Sequence, residues 1–135
     1  MLCGKESVFF MRPIPRAHRR FREVYPDIAA AYEQLGRVTQ EWGPIDKKTR
    51  ELVKLGVAVG SRQEGAVHSH TRRALDAGAT PEEIRHVVLL ALTTIGFPNM
   101  VAAMSWVEDV LPEDDGATLP TPHKMTIEDD AEPAV

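Results

Sequence analysis

Cysteine is nearly missing from this chain: of 135 residues only Cys3 carries a thiol. One thiol cannot close an intramolecular disulfide or build a cysteine-based zinc finger. Long apolar runs are also missing, since no stretch approaches the ~18 residues of a membrane helix. The first ten residues hold Lys5 and Glu6 and no sustained apolar core, so they do not read as a secretory leader. The expected setting is therefore the cytoplasm, with no membrane partner. Period-two alternation long enough for a strand is absent as well. The net charge of −4 argues against a general nucleic-acid binder.

The charge that is present is uneven. Residues 112–135 contain four prolines, seven acidic residues and Lys124 as their only basic residue. Without apolar periodicity, this segment reads as an acidic, mostly disordered tail. At the other end, Lys5, Arg12, Arg16, Arg19, Arg20 and Arg22 outweigh Glu6. This basic end, Met1–Arg22, with residues 1–16 as the arm before the helical domain, could hold phosphate or nucleic acid. No aromatic interleaving accompanies the charges, so packing on a neighbouring subunit or meeting the acidic tail is the preferred reading. Phe9-Phe10-Met11 would be an apolar patch on a monomer, which supports docking on a partner subunit.

Residues 17–111 have helical periodicity throughout. Ala17–Leu35 is interrupted at Pro26, with Ile28, Ala29, Tyr32 and Leu35 on one face. After Trp42-Gly43-Pro44, Asp46 caps a helix reaching about Val59, with Leu52, Leu55, Gly56 and Val59 as its buried stripe. A third helix runs from about Gln63 to Ala77 and stops at Gly78. Thr80-Pro81-Glu82-Glu83 is a capping box. It opens a helix over Pro81–Thr94 that buries Ile84, Val87, Val88, Leu90 and Ala91. Gly96-Phe97-Pro98 resets the chain before a helix over Pro98–Leu111, where Met100, Met104 and Trp106 read as core or subunit interface. The sum is an all-α bundle of five to six helices.

His68-Ser69-His70 has the letters of a metal pair but not the geometry. Residues two apart on a helix point roughly 200° apart, whereas a helical metal pair needs a spacing of three or four. No metal site is expected there unless a second subunit completes it. His18 and His123 read as surface residues. His70 lies with Ala66, Val67, Ala74 and Ala77 and faces the interior. His68 lies with Arg72, near Leu75, on the more polar side. A buried histidine is commonly a satisfied core residue. The alanines around His70 leave room for a cavity, and Glu51 borders the apolar stripe of the preceding helix. A carboxylate against an imidazole in a semi-buried core suits proton movement near neutral pH. Glu64 reads as a first-turn carboxylate favoured by the helix dipole.

Arg50-Glu51-Leu52-Val53-Lys54-Leu55, the run from Glu64 to Gly78, Thr80-Pro81-Glu82-Glu83-Ile84 and the Gly96-Phe97-Pro98 turn together resemble the carboxymuconolactone decarboxylase and alkylhydroperoxidase-D-like family. The dense match covers residues 51–98. The resemblance implies an alkylhydroperoxidase-D-like helical fold that assembles as trimers or hexamers. The redox branch of that family carries a C-x-x-C pair before the histidine and a glutamate on the previous helix. Those positions fall on Gln63 and Ala66 for the thiols, His70 for the histidine and Glu51 for the glutamate. Without the pair, the branch's peroxidase (peroxiredoxin-type) or disulfide reductase cycle has neither nucleophile nor resolving thiol. The decarboxylase branch also lacks the pair, needs no cofactor and works by acid–base chemistry in a pocket between subunits.

The resulting expectation is a cofactor-free, non-thiol lyase acting on a small carboxylated or lactone-like molecule. His70 would be the general acid or base, with Glu51 orienting it. Gln63 and Ala66 would line the pocket, Gln63 as a hydrogen-bonding replacement for a thiol. Arg62, Arg72 or Arg73 would bind an acid group. The rival readings are a non-catalytic member that binds a ligand or partner, and the redox activity, which the missing thiols disfavour.

Overall fold

The computed structural model describes residues 14–113, and every regular element among them is helical. The helices are α1 (Arg16–Val24), α2 (Pro26–Glu41), α3 (Lys47–Gly60), α4 (Glu64–Asp76), α5 (Pro81–Leu90), α6 (Leu92–Ile95) and α7 (Phe97–Glu108). The all-α expectation holds, with one more helix than the largest expected number because α6 is a separate single turn. The arm's Phe9-Phe10-Met11 and all of the acidic tail beyond Glu113 lie outside the described residues. The chain divides into two compact units between Pro44 and Ile45.

In the first unit, Pro26 sits in the opening turn of α2, where its missing N–H costs nothing. Arg22 on α1 pairs with Glu33 on α2 at 2.6 Å. The helix that follows Pro26 extends to Glu41, past the expected end at Leu35. Its expected buried face is corrected. Ala29 is buried, but Ile28, Tyr32 and Leu35 are more than half exposed.

The second unit has a continuous core. Leu55, Ala58 and Val59 from α3 meet Val67 and Ala74 from α4, Ile84 and Val88 from α5, and Met100, Ala103 and Val107 from α7. Helix α3 starts where Asp46 accepts hydrogen bonds from the Thr49 hydroxyl and from the Thr49 backbone N–H, the latter at 3.2 Å, which hold the Asp46 carboxyl below its usual value. Leu55 and Val59 are fully buried, whereas Leu52 and Gly56 are half-buried. Helix α4 ends as expected. Gly78 takes φ +93°, and the Ala79 N–H donates to the Ala74 carbonyl at 2.9 Å.

The Thr80 capping box is present in both halves. The Glu83 N–H donates to Thr80 Oγ1 at 3.1 Å, and the Thr80 N–H donates to the Glu83 carboxylate at 2.9 Å. The expected helix over Pro81–Thr94 is split. After Leu90 the Ala91 N–H reaches back only to Val88, tightening the turn before α6. Leu90, two positions past Val88 and so roughly 200° around the helix from it, faces solvent rather than the core, while Ile84 and Val88 remain buried. Gly96, at φ +83°, ends α6 and directly precedes α7.

Two outcomes follow for α5. Thr80→Ala removes the cap and should cost ~1 kcal/mol, read as a lower midpoint in thermal unfolding. The Glu83 carboxyl lies below its usual value because it accepts the Thr80 backbone N–H and the Lys48 ammonium. A lowered carboxyl stabilises the fold above its ordinary titration range, and that stability is lost as pH falls through the depressed value. Glu83→Gln should therefore flatten the acid limb of the stability-against-pH curve.

Candidate functional site

The site forms where α3 and α4 lie against each other. Glu51 falls on the same side of α3 as Leu55 and Ala58, so the packing that buries those residues also buries its carboxylate. The Glu51 side chain is 6% exposed. A carboxylate removed from water needs a partner, and an unpaired one costs several kcal/mol. The partner is His70, whose Nδ1 lies 3.0 Å from Glu51 Oε2. The His70 side chain keeps 18% of its surface exposed, so it is not sealed from solvent.

This contact sets the tautomer. An ionised carboxylate only accepts, so Nδ1 carries the proton and donates it to Glu51. The Nε2 atom then presents a lone pair when the ring is neutral and an N–H when the ring is protonated. Such a ring can take up or deliver a proton at Nε2, while the carboxylate behind it holds its orientation and stabilises the charged form.

The two histidines diverge as their spacing requires. His70 turns toward α3, whereas His68 turns toward the end of α7 and places Nε2 3.0 Å from Asp109 Oδ2. Both are half-buried, so the contrast between an interior and a polar histidine is smaller than expected, and each has an acidic partner. The Asp109 partnership had no signal in the local sequence, being a contact across 41 positions.

The remaining expected site residues are arranged by the spacing along α4. Gln63, Ala66, His70 and Arg73 recur at intervals of three and four, so they share one side of the helix. Gln63 is the N-cap residue of α4 but makes no side-chain capping hydrogen bond. Ala66 is half-buried, while Gln63, Arg62 and Arg73 are exposed. Arg72 is half-buried and engaged in an interaction of its own.

Arg62 has a feature that sequence reasoning missed. It adopts φ +57° in the turn between α3 and α4, the only non-glycine residue with positive φ among the described residues. The turn requires it: the Arg62 N–H donates to the Val59 carbonyl and the Gln63 N–H to the Ala58 carbonyl, both at 3.1 Å. Glycine is the usual occupant of such a position, and a side chain there costs about 1–2 kcal/mol.

Among known proteins, a sequence model described as "Carboxymuconolactone decarboxylase family" matches residues 26–109. An uncharacterized protein of Methanocaldococcus jannaschii is 30% identical over 105 residues, covering 77% of this chain and 97% of its own. A nitrosuccinic acid decarboxylase of Metarhizium robertsii is 39% identical over 69 residues, 51% of this chain. The matched region spans about half of that fungal protein, 48% of its length. A crystal structure of the apo form of lpg0406, a carboxymuconolactone decarboxylase family protein from Legionella pneumophila, superposes with a TM-score of 0.62 at 26% identity. It covers 70% of this chain and 84% of that one.

Two measurements test the local geometry. Long-range 1H–15N spectra should show neutral His70 in the Nδ1–H tautomer, and Glu51→Ala should abolish that bias. An Nε2–H tautomer in the native protein would contradict the contact. Arg62→Gly should raise stability by about 1 kcal/mol in denaturant unfolding, because it relieves the left-handed conformation.

Proposed function

The chain belongs to the carboxymuconolactone decarboxylase family, and from that premise we propose that it is a non-thiol lyase that decarboxylates a small carboxylic acid through His70 and Glu51. The observation that carries this reading is the 3.0 Å hydrogen bond from His70 Nδ1–H to a buried Glu51 carboxylate, on a His70 side chain that keeps partial exposure to solvent. The name of the Metarhizium robertsii relative supports decarboxylation as the reaction class.

The chemistry is a proton-consuming cleavage. The bond from the substrate carbon to its carboxylate breaks, carbon dioxide leaves, and the electron pair passes into an acceptor already on the substrate, such as a lactone-conjugated alkene or a nitro group. The protonated His70 ring then delivers its Nε2 proton to that carbon and recovers a proton from water. Glu51 stabilises the imidazolium before transfer and keeps Nε2 aimed outward after it. Gln63 and Ala66 supply the adjacent surface of α4, with the Gln63 amide as a hydrogen-bonding group where a thiol would stand in the redox branch. Arg62 and Arg73 supply cationic groups for a substrate carboxylate. The left-handed Arg62 supports a role in binding, since a glycine there would serve the turn better.

The protein would act as a homo-oligomer. Exposed Ile28, Tyr32 and Leu35 support self-association, and light scattering coupled to size exclusion reads the trimer or hexamer directly.

The deciding experiment follows carbon dioxide release from a panel of carboxylated lactones and nitro acids. His70→Gln should lower kcat by about 10²- to 10⁴-fold, the range for a lost general acid–base, with thermal stability retained. Saturable binding of the same acids without turnover by the native protein would instead identify a ligand-binding member of the family.

A further inference from the structure

A second constellation lies on the opposite side of α4 from His70. Glu64, His68 and Asp109 each offer one ligand atom, and the three atoms lie within 4.8 Å of one another. We infer that these three residues form a binding site for a divalent transition-metal ion of the zinc class, tying the first turns of α4 to the end of α7.

The placement follows from the helices. Glu64 and His68 are four apart on α4, so they stand one above the other on the same face. The pairing of His68 with His70 fails by spacing, but the pairing of His68 with Glu64 has the interval a helical metal pair needs. Asp109 caps the C-terminus of α7 and comes in from the facing helix. The donor set is one imidazole nitrogen and two carboxylate oxygens, which suits zinc and its neighbours better than calcium or magnesium.

The His68–Asp109 distance fits an ion, and the exposed Glu64 side chain would close on it. His68 Nε2 and Asp109 Oδ2 are 3.0 Å apart. Two donors that share a cation at about 2.0–2.1 Å have nearly that separation when the angle at the metal is close to a right angle. The ion would replace the proton now shared between those atoms. Two carboxylates also balance a charge of +2.

Two electrostatic features favour a cation there. Glu64 and Asp109 bring like charges together, and a cation between them would relieve their repulsion, although the α4 dipole already favours Glu64 in its first turn. Asp109 also sits at the negative end of the α7 dipole, where a carboxylate is disfavoured and a cation favoured. Glu64 and Asp109 are exposed, so water can fill the remaining coordination positions and the ion has an open path of entry.

The test titrates Zn2+ into the chelator-stripped full chain by calorimetry, with thermal unfolding in parallel. The expected result is one-to-one binding with a Kd of about 10 µM or tighter and a raised unfolding midpoint. His68→Gln, Glu64→Gln and Asp109→Asn should each weaken binding by at least about tenfold, while His70→Gln leaves it unchanged. In long-range 1H–15N spectra of the native protein, Zn2+ should shift the His68 ring nitrogens and leave those of His70 in place. The spectra and the exposed Glu64→Gln variant decide the matter even if His68→Gln fails to fold. No binding at millimolar Zn2+, or native affinity in Glu64→Gln with unmoved His68 signals, would overturn the proposal. The outcome is independent of any activity at His70.

Discussion

A carboxylate placed among apolar side chains governs this structure. Glu51 shares its side of α3 with Leu55 and Ala58, so the contact that builds the core also desolvates a charge. Such a group must be neutralised or paired, and α4 answers with His70 at 3.0 Å. The register of α4 against α3 is thereby constrained. A shift of one residue would rotate the imidazole by ~100° away from its partner. Core packing and the proton-bearing pair are one requirement, and the α3–α4 interface is therefore where sequence, stability and chemistry meet.

Helix α4 is consequently a three-sided element. One side, through Val67, Thr71 and Ala74, fills the core. A second, through His70, reaches Glu51 on α3, and a third, through His68, reaches Asp109 on α7. The interval of two residues between the histidines separates their acidic partners onto different helices. The buried Thr71 hydroxyl donates to the Val67 carbonyl at 2.8 Å, so this polar group in the core stays satisfied.

Much of this was legible along the sequence because the signals are local. The Thr80–Glu83 capping box, the Asp46 cap and the Gly78 terminus all depend on residues within one turn of one another. The Glu51–His70 pairing could be anticipated from facing helices and from the family resemblance, and the geometry supplies the contact. What remained hidden depends on neighbours remote in sequence or on what an apolar face meets. Asp109 reaches His68 only through the packing of α7 on α4. Ile28, Tyr32 and Leu35 have the period of a buried stripe, yet periodicity records an apolar face and not what covers it. Leu90 was misplaced because it stands two positions past the buried Val88, roughly 200° around α5, and so faces away from the core.

On the proposed reading, the residues at positions 63 and 66 set the chemistry open to this family member. A thiol pair there would make the histidine a partner in redox chemistry. An amide and a methyl group leave the imidazole and its carboxylate without a nucleophile on the same helix face. Removing the thiols does not disturb the features that hold Glu51 against His70, because those reside in the core-facing side of α3 and the middle of α4. On the proposed reading, the scaffold thus carries a proton-transfer pair without a thiol pair beside it. A carbanion formed by loss of carbon dioxide needs one proton and no electron from the protein, and the groups that remain can meet that demand.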